Sequence, residues 1–293
     1  MNSTAHIAFI GLGVMGEPMC RNLRQKSGRT IRALDREAAP LERLAPHGVT
    51  AARDVRDAVT GAQVIFLSLP SGEIVDQVVN GPGGLATCAG AGQIVVDLGT
   101  SPVDLTRRWA ADFAGRGITW VDAPVARTRA AAEAGQLSVM VGAAEDVFES
   151  VRPLIATFAS DITLCGPVGC GQVVKILNNM VLFQTVLALS EARAIGRRAG
   201  VDPALLFDTL SKGSADSFAL RNHGMKAIVP GEFPERAFPV TYALKDLGYA
   251  LRLAEDTGVT AQAASLVKTW FDRAIDAGEG ARYFPVISRL VDD

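Results

Sequence analysis

Three glycines in the stretch HIAFIGLGVMGEPM, Gly11, Gly13 and Gly16, have the GxGxxG spacing of a phosphate-binding turn. The spacing follows an apolar strand-like run and opens a helical one. Gly11 then permits a tight turn, Gly13 lets the backbone approach a pyrophosphate, and Gly16 lets helix and strand pack closely. With Leu12, Val14 and Met15 between them, these residues present the unpaired N–H groups of a helix N-terminus to the phosphates. A glycine turn without a ligand is the alternative. Against it stands Asp35, 19 residues after Gly16 at the end of a second strand-like run, IRALD. A carboxylate there can accept from the ribose hydroxyls of NAD. Arg36 would suit the 2′-phosphate of NADP, which Asp35 would repel. NAD is therefore the expected cofactor and NADP the alternative.

A second cluster lies far along the chain. In GCGQVVKILNNMVLFQTVLALSEA, Lys175, Asn178 and Asn179 are at i, i+3 and i+4, so on a helix they share one face. The rest of that helix is apolar nearly all round and must be buried on several faces. Its polar groups therefore need partners or a wet cleft. A lysine ammonium can protonate a carbonyl oxygen as hydride arrives from a nicotinamide, and the neutral amine can take the proton back. Its reference pKa of about 10.4 must fall for easy reversibility near neutral pH, which partial burial and a nearby cation would bring about. The plainer alternative is a buried amide pair tied to backbone beside a lysine that reaches for solvent.

A third stretch, DAPVARTR, places Arg127 and Arg129 where the chain has otherwise turned small and apolar. Either arginine can be a solvated turn residue. Either can also clamp a carboxylate, sulfonate or phosphonate through two parallel hydrogen bonds.

The elements that must position these residues follow from the hydrophobic pattern. Strands are expected at 6–10, 30–34, 64–69, 93–98, 118–123 and 137–142, with amphipathic helices at 17–27, 73–79 and 102–115 among them. Ser101-Pro102 is expected to cap the last of these. Strand–helix alternation indicates a mostly parallel sheet with helices on both faces. After ITLCGPVGCG (162–171) the pattern turns helical, with segments near 170–196, 203–211, 217–228, 240–257 and 260–277. The fold class is thus α/β, a doubly wound sheet over 1–165 followed by an all-α domain over 166–293, linked by a long helix. The turn AGVDP (199–203) combines a glycine stop, an aspartate cap and a proline start.

Composition excludes several functions. With 29 basic against 31 acidic residues and no basic stripe, a nucleic-acid surface is not expected. Four dispersed cysteines, Cys20, Cys88, Cys165 and Cys170, do not make a disulfide framework, although Cys165 and Cys170 flank one turn; free thiols in a reducing cytoplasm are expected. His6, His47 and His223 lack metal-ligand spacing, so no metal is expected. MNSTA is no charged leader, and Asn178, Asn179, Gln184 and Thr185 argue against a membrane span in the apolar helix.

The motifs together resemble the β-hydroxyacid dehydrogenases, the family of 3-hydroxyisobutyrate dehydrogenase and tartronate semialdehyde reductase. The likeness spans essentially the whole chain, through GLGVMGEPM (11–19), DAPV (122–125) with GQLSVMVG (135–142), GCGQVVKILNN (169–179) and FPVTYALKDLGYAL (238–251), in that order. It implies a Rossmann domain, an all-helical domain and an active site in the cleft between them. By position it makes Lys175 the catalytic lysine and Asn179 its substrate-binding companion, with Asn178 beside them. Leu69, Pro70, Ser71 and Thr100 would line the ribose and nicotinamide side, and Lys245 the nicotinamide end. Lys245-Asp246 taken alone reads as solvated surface. The expected activity is reversible hydride transfer between NAD(H) and a small anionic β-hydroxy acid or its semialdehyde, in a homodimer or homotetramer without membrane partners.

The chain departs from the family pattern after DAPV. Ser-Gly-Gly, whose hydroxyl and N–H groups hold a substrate carboxylate, is replaced by Ala126, Arg127 and Thr128. Arg127 then occupies the substrate-anion position and is also a candidate for the cation that tunes Lys175, while Arg129 is expected to be exposed or bound to backbone. Arg-Thr resembles the sulfolactaldehyde reductase branch, whose substrate carries a sulfonate, but Leu182 offers no hydroxyl to share that load. GSADSFALRNHG (213–224) is expected to add Phe218 and His223 to the cleft. An imine reductase shares the architecture but usually lacks the lysine, and a non-catalytic cofactor-binding module would not need Lys175 and Asn179. A decarboxylating 6-phosphogluconate enzyme would need a longer helical domain.

Overall fold

The computed structural model describes residues 6–235 and 237–292, so MNSTA lies outside the described residues. Among the described residues nine strands form one sheet: β1 His6–Ile10, β2 Ile31–Leu34, β3 Val49–Ala51, β4 Ala62–Leu67, β5 Ile94–Asp97, β6 Thr119–Asp122, β7 Val125–Ala126, β8 Leu137–Gly142 and β9 Ala159–Gly166. The order β3-β2-β1-β4-β5-β6 is parallel throughout and is that of a Rossmann sheet. Its central strands are covered on both sides, so β1 is buried at every residue and reads as a continuous apolar run. Phe9, Phe66 and Phe158 pack on one face, and Trp109, Phe113 and Trp120 on the other.

Past β6 the sheet changes direction. β8 runs antiparallel to β6 and β7, and β9 adds parallel to β8. Sequence reading misses β3, β7 and β9 for a physical reason. The first two are three and two residues long, and β9 is half-exposed, with Ser160, Asp161 and Thr163 breaking up any apolar run. The expected cap at Ser101 is also corrected. Pro102 is the N-cap of helix Val103–Ala114, and the Ser101 hydroxyl turns inward to donate to Asp97 at 2.8 Å.

The chain divides into two compact units, Met1–Lys175 and Ile176–Asp293, and the division falls inside one continuous helix, Cys170–Arg198. Its 29 residues are long and apolar enough to cross a membrane by length and composition, so its four polar residues do not exclude that as expected. In this fold Phe183, Val186, Leu187 and Leu189 are instead buried in the core of the second unit. Phe271 and Phe284 meet Phe183 edge-on there, at 5.4 and 5.1 Å. The other helices described in that unit are Pro203–Leu210, a π-helix at Leu220–Ile228, Val240–Asp256, Gln262–Asp276, a 3-10 turn at Phe284–Val286 and Ile287–Asp292. Asp202 caps Pro203–Leu210 by accepting from the Leu205 N–H at 2.9 Å, as AGVDP leads one to expect.

Candidate active site

The glycine turn separates into two structural positions and one open one. Gly11 has φ +96°, and a Cβ there would lie 2.3 Å from the Ser68 carbonyl oxygen. At Gly16 it would lie 2.1 Å from the Gly11 oxygen, so strand and helix tolerate nothing larger than glycine. At Gly13 it would meet nothing within 4 Å. That opening sits where helix Gly16–Ser27 begins with Met15 as N-cap and no side-chain cap. Val14 is exposed beside it, whereas the Leu12 side chain is buried. The Leu12 N–H donates to one oxygen of Asp35 and the Glu37 N–H to the other, which fixes the half-buried carboxylate beside the turn. A carboxylate oxygen has a second acceptor position for a ribose hydroxyl. The space at Gly13, the uncapped helix start and the placed carboxylate fit a dinucleotide. Arg36 is exposed and, among the described residues, donates to the Gln77 side chain at 3.5 Å.

Leu69, Pro70 and Ser71 follow β4, and Ser71 caps helix Gly72–Asn80 by accepting from the Ile74 N–H. Thr100 lies half-buried on the loop after β5. Two carboxylates that sequence reasoning passed over, Asp97 and Asp122, end the adjacent strands β5 and β6 in register and are fully buried. Asp122 accepts from the Gly169 and Gln172 N–H groups at 2.7 and 2.8 Å, so it caps the long helix from 47 residues upstream. Burial pushes its carboxyl up to about 6, against the pull of those N–H groups. Lys175 lies in the second turn of that helix and is 9% exposed, which removes the solvent-seeking alternative.

In the second unit a hydrogen-bonded chain joins four residues. The Asn178 amide donates to the Asn179 oxygen at 3.1 Å, and the Asn179 amide donates to Asp246 at 2.7 Å. The Lys245 ammonium lies 3.1 Å from the other Asp246 oxygen and near the faces of Tyr242 and Tyr249. Asn179 and Asp246 are buried, so the reading of Lys245-Asp246 as solvated surface is corrected. Adjacent opposite charges carry no sequence signal of burial; only the register of Val240–Asp256 turns Asp246 inward.

The arginines of DAPVARTR are both paired within the first unit. Arg127 donates to the Gln136 carbonyl at 2.8 Å and the Ser160 hydroxyl at 2.9 Å, and its other terminal nitrogen is 2.8 Å from Asp161. Ser160 and then Arg127 hold the Asp161 carboxyl below the ordinary carboxylate range. The guanidinium expected to clamp a substrate anion and to tune Lys175 is thus already partnered. Arg127 is also the one described non-glycine residue with positive φ, +85°. Ala126 pairs with Ser138 in the sheet, and Thr128 caps helix Arg129–Ala134. Arg129 is exposed, as expected, and pairs with Glu133 one turn on. Phe218 is exposed, whereas His223 is buried and bonded to the Tyr283 hydroxyl. Among the described residues the four cysteines are free, and no cluster of His, Cys, Asp and Glu has a metal-holding arrangement.

Residues 6–166 match the family of NAD-binding domains of 6-phosphogluconate dehydrogenase, and residues 169–290 match that of NADP-dependent 3-hydroxyisobutyrate dehydrogenase. The chain is 35% identical over 280 residues to 2-(hydroxymethyl)glutarate dehydrogenase of Eubacterium barkeri, covering 96% of this chain and 92% of that one. It is 34% identical over 251 residues to 2-hydroxy-3-oxopropionate reductase of Escherichia coli K12, with coverage of 85% and 84%. The solved structure of Mycobacterium tuberculosis 3-hydroxyisobutyrate dehydrogenase with L-serine superimposes with a TM-score of 0.89 at 29% identity, covering 99% of this chain and all of that one.

Proposed function

The chain belongs to the β-hydroxyacid dehydrogenase family, and from that premise we propose that Lys175 is the general acid/base of a reversible, NAD-linked oxidation of a small anionic β-hydroxy acid. The observation that carries the reading is the burial of Lys175 on the helix that also carries the bonded Asn179. The nicotinamide, when bound, supplies or accepts the hydride. Lys175 as ammonium gives its proton to the carbonyl oxygen of a semialdehyde; as neutral amine it takes the hydroxyl proton in the other direction. Asp246 and Asn178 set the orientation of the Asn179 amide, which is our candidate for holding the substrate near Lys175.

The relatives' names narrow the substrate class. 2-(Hydroxymethyl)glutarate, 3-hydroxyisobutyrate and serine all contain a primary alcohol β to a carboxylate, HOCH2–CH(R)–COO⁻, and 2-hydroxy-3-oxopropionate is the aldehyde of such a compound. We assign this chain the same class. A sulfonate aldehyde is the second candidate; it would require Arg127 to exchange its bonds to Ser160 and Asp161 for the substrate anion. Asp35 beside the glycine turn, which would repel a 2′-phosphate, favours NAD over NADP. Exposed Leu177, Val181 and Ile195 on the long helix support a homo-oligomer.

Lys175→Ala should lower kcat by roughly 10²–10⁴ while NADH still binds. The assay is a panel of carboxylate and sulfonate semialdehydes with NADH and NADPH at equal concentration. Near-normal turnover by the variant on the best substrate would sink the mechanism.

A further inference from the structure

The start of the long helix is held from two sides by groups that the proposed mechanism does not use. On one side is the buried Asp122 cap. A Cβ at Gly171 would lie 2.4 Å from the Met140 carbonyl oxygen and 2.8 Å from Asp122, so the first turn sits directly on the sheet. On the other side is Gln172, whose side chain is fully buried. Its amide oxygen accepts from the Ser101 N–H at 3.1 Å, and its amide nitrogen donates to the Gly99 carbonyl at 2.9 Å. Those two bonds grip the backbone on either side of Thr100. The loop is itself shaped from below, because Asp97 accepts from the Gly99 N–H at 2.9 Å and from the Ser101 hydroxyl at 2.8 Å.

A glutamine that uses donor and acceptor on one loop fixes both distance and rotation, which a hydrophobic contact does not. Gln172 precedes Lys175 by three residues, so the two are neighbours along the helix surface. We infer that Gln172 is a positioning residue, clamping the Thr100 loop to the first turn of the helix and so setting where the Lys175 amine is presented. The inference rests on the assignment of Lys175 as acid/base. A misplacement of about 1 Å at a reacting group is enough to cost about 10²-fold in rate, so the clamp is worth far more to turnover than to dinucleotide binding, which the glycine turn and Asp35 dominate.

Gln172→Ala and Gln172→Glu test this on the full chain. Gln172→Ala should lower kcat 10- to 100-fold while the Kd for NADH, read by fluorescence, stays within about twofold of wild type. Gln172→Glu keeps the acceptor for Ser101 but, when ionised, sets an oxygen against the Gly99 carbonyl. Burial raises the pKa of such a carboxyl; the charged groups around the helix start are Asp97 of β5, Asp122 of β6, Arg107 of Val103–Ala114 and Lys175 itself. The Gln172→Glu to wild-type kcat ratio should therefore rise as pH falls from 8 to 6, when the protonated acid can donate to Gly99 again. A kcat for Gln172→Ala within twofold of wild type, a parallel loss of NADH affinity, or a pH-independent ratio for Gln172→Glu overturns the positioning role. Lys175→Ala run alongside separates the two claims. If it retains turnover, both fall; if it is inactive while Gln172→Ala is not, only the positioning role falls.

Discussion

Arg127 keeps a backbone conformation that suits glycine, at the position where the family pattern has one. A side chain in the left-handed region costs on the order of 1–2 kcal/mol. The bonds to Gln136, Ser160 and Asp161 hold it there. An exposed ion pair returns at most about 1 kcal/mol, so strain and contacts nearly offset. Arg127→Gly should accordingly leave the denaturation midpoint close to wild type, while Arg127→Val, β-branched and without the contacts, should lose about 1–3 kcal/mol. A marked loss of stability in the glycine variant would show that the contacts outweigh the strain. The same pairing makes the anion role testable. Asp161→Asn releases the guanidinium, and the KM for an anionic substrate should fall if Arg127 reaches it; an unchanged KM removes Arg127 from substrate recognition.

At the scale of elements, the π-helix Leu220–Ile228 turns His223 inward against Phe284 and Tyr283. Burial, with Lys226 nearby, holds the imidazole down to about 4. The unfolded chain takes up that proton near 6.5, whereas the folded one refuses it until about 4. His223 therefore contributes stability that is complete above pH 6.5 and is lost as pH falls through that window, on the order of 3 kcal/mol by pH 4. Asp122 has the opposite sign. Its raised carboxyl binds a proton more readily in the folded state, so its contribution grows as pH falls through about 6. Comparing His223→Asn with wild type cancels the Asp122 effect. The wild-type Tm should drop relative to the variant between pH 6.5 and 4, and parallel curves would refute this account.

For the molecule as a whole, the long helix is the element that both units share. Its second-unit portion buries Phe183, Val186 and Leu187 but leaves Leu177, Val181 and Ile195 exposed. These large apolar side chains recur at spacings of four and fourteen residues, which places them along one side of the helix. A second copy of the chain is the occupant proposed for that side. Val181→Asp should lower the mass measured by light scattering to that of a smaller species while the circular dichroism of the subunit is retained. An unchanged mass would remove this face from the association.

Apart from the three-residue β3, the parallel half of the sheet was legible in the sequence, as were the glycine turn with Asp35 and the polar face of the long helix. Their signals are local: strands buried on both faces make continuous apolar runs, a tight turn demands glycine at set spacing, and polar residues stand out on a greasy helix. The short strand β7 and the half-exposed strand β9 exist only because β8 is there to pair with them. Asp122, Gln172 and Asp246 owe their roles to burial and to partners 47 to 73 residues away, which no local pattern encodes. Arg127 is the converse case. Its charge was plain in the sequence, but the approach of β9 with Ser160 and Asp161 decided what that charge binds. Residue type and spacing determined which chemistry this chain carries; long-range hydrogen bonds in the folded protein decided which of its polar groups are held, and by what.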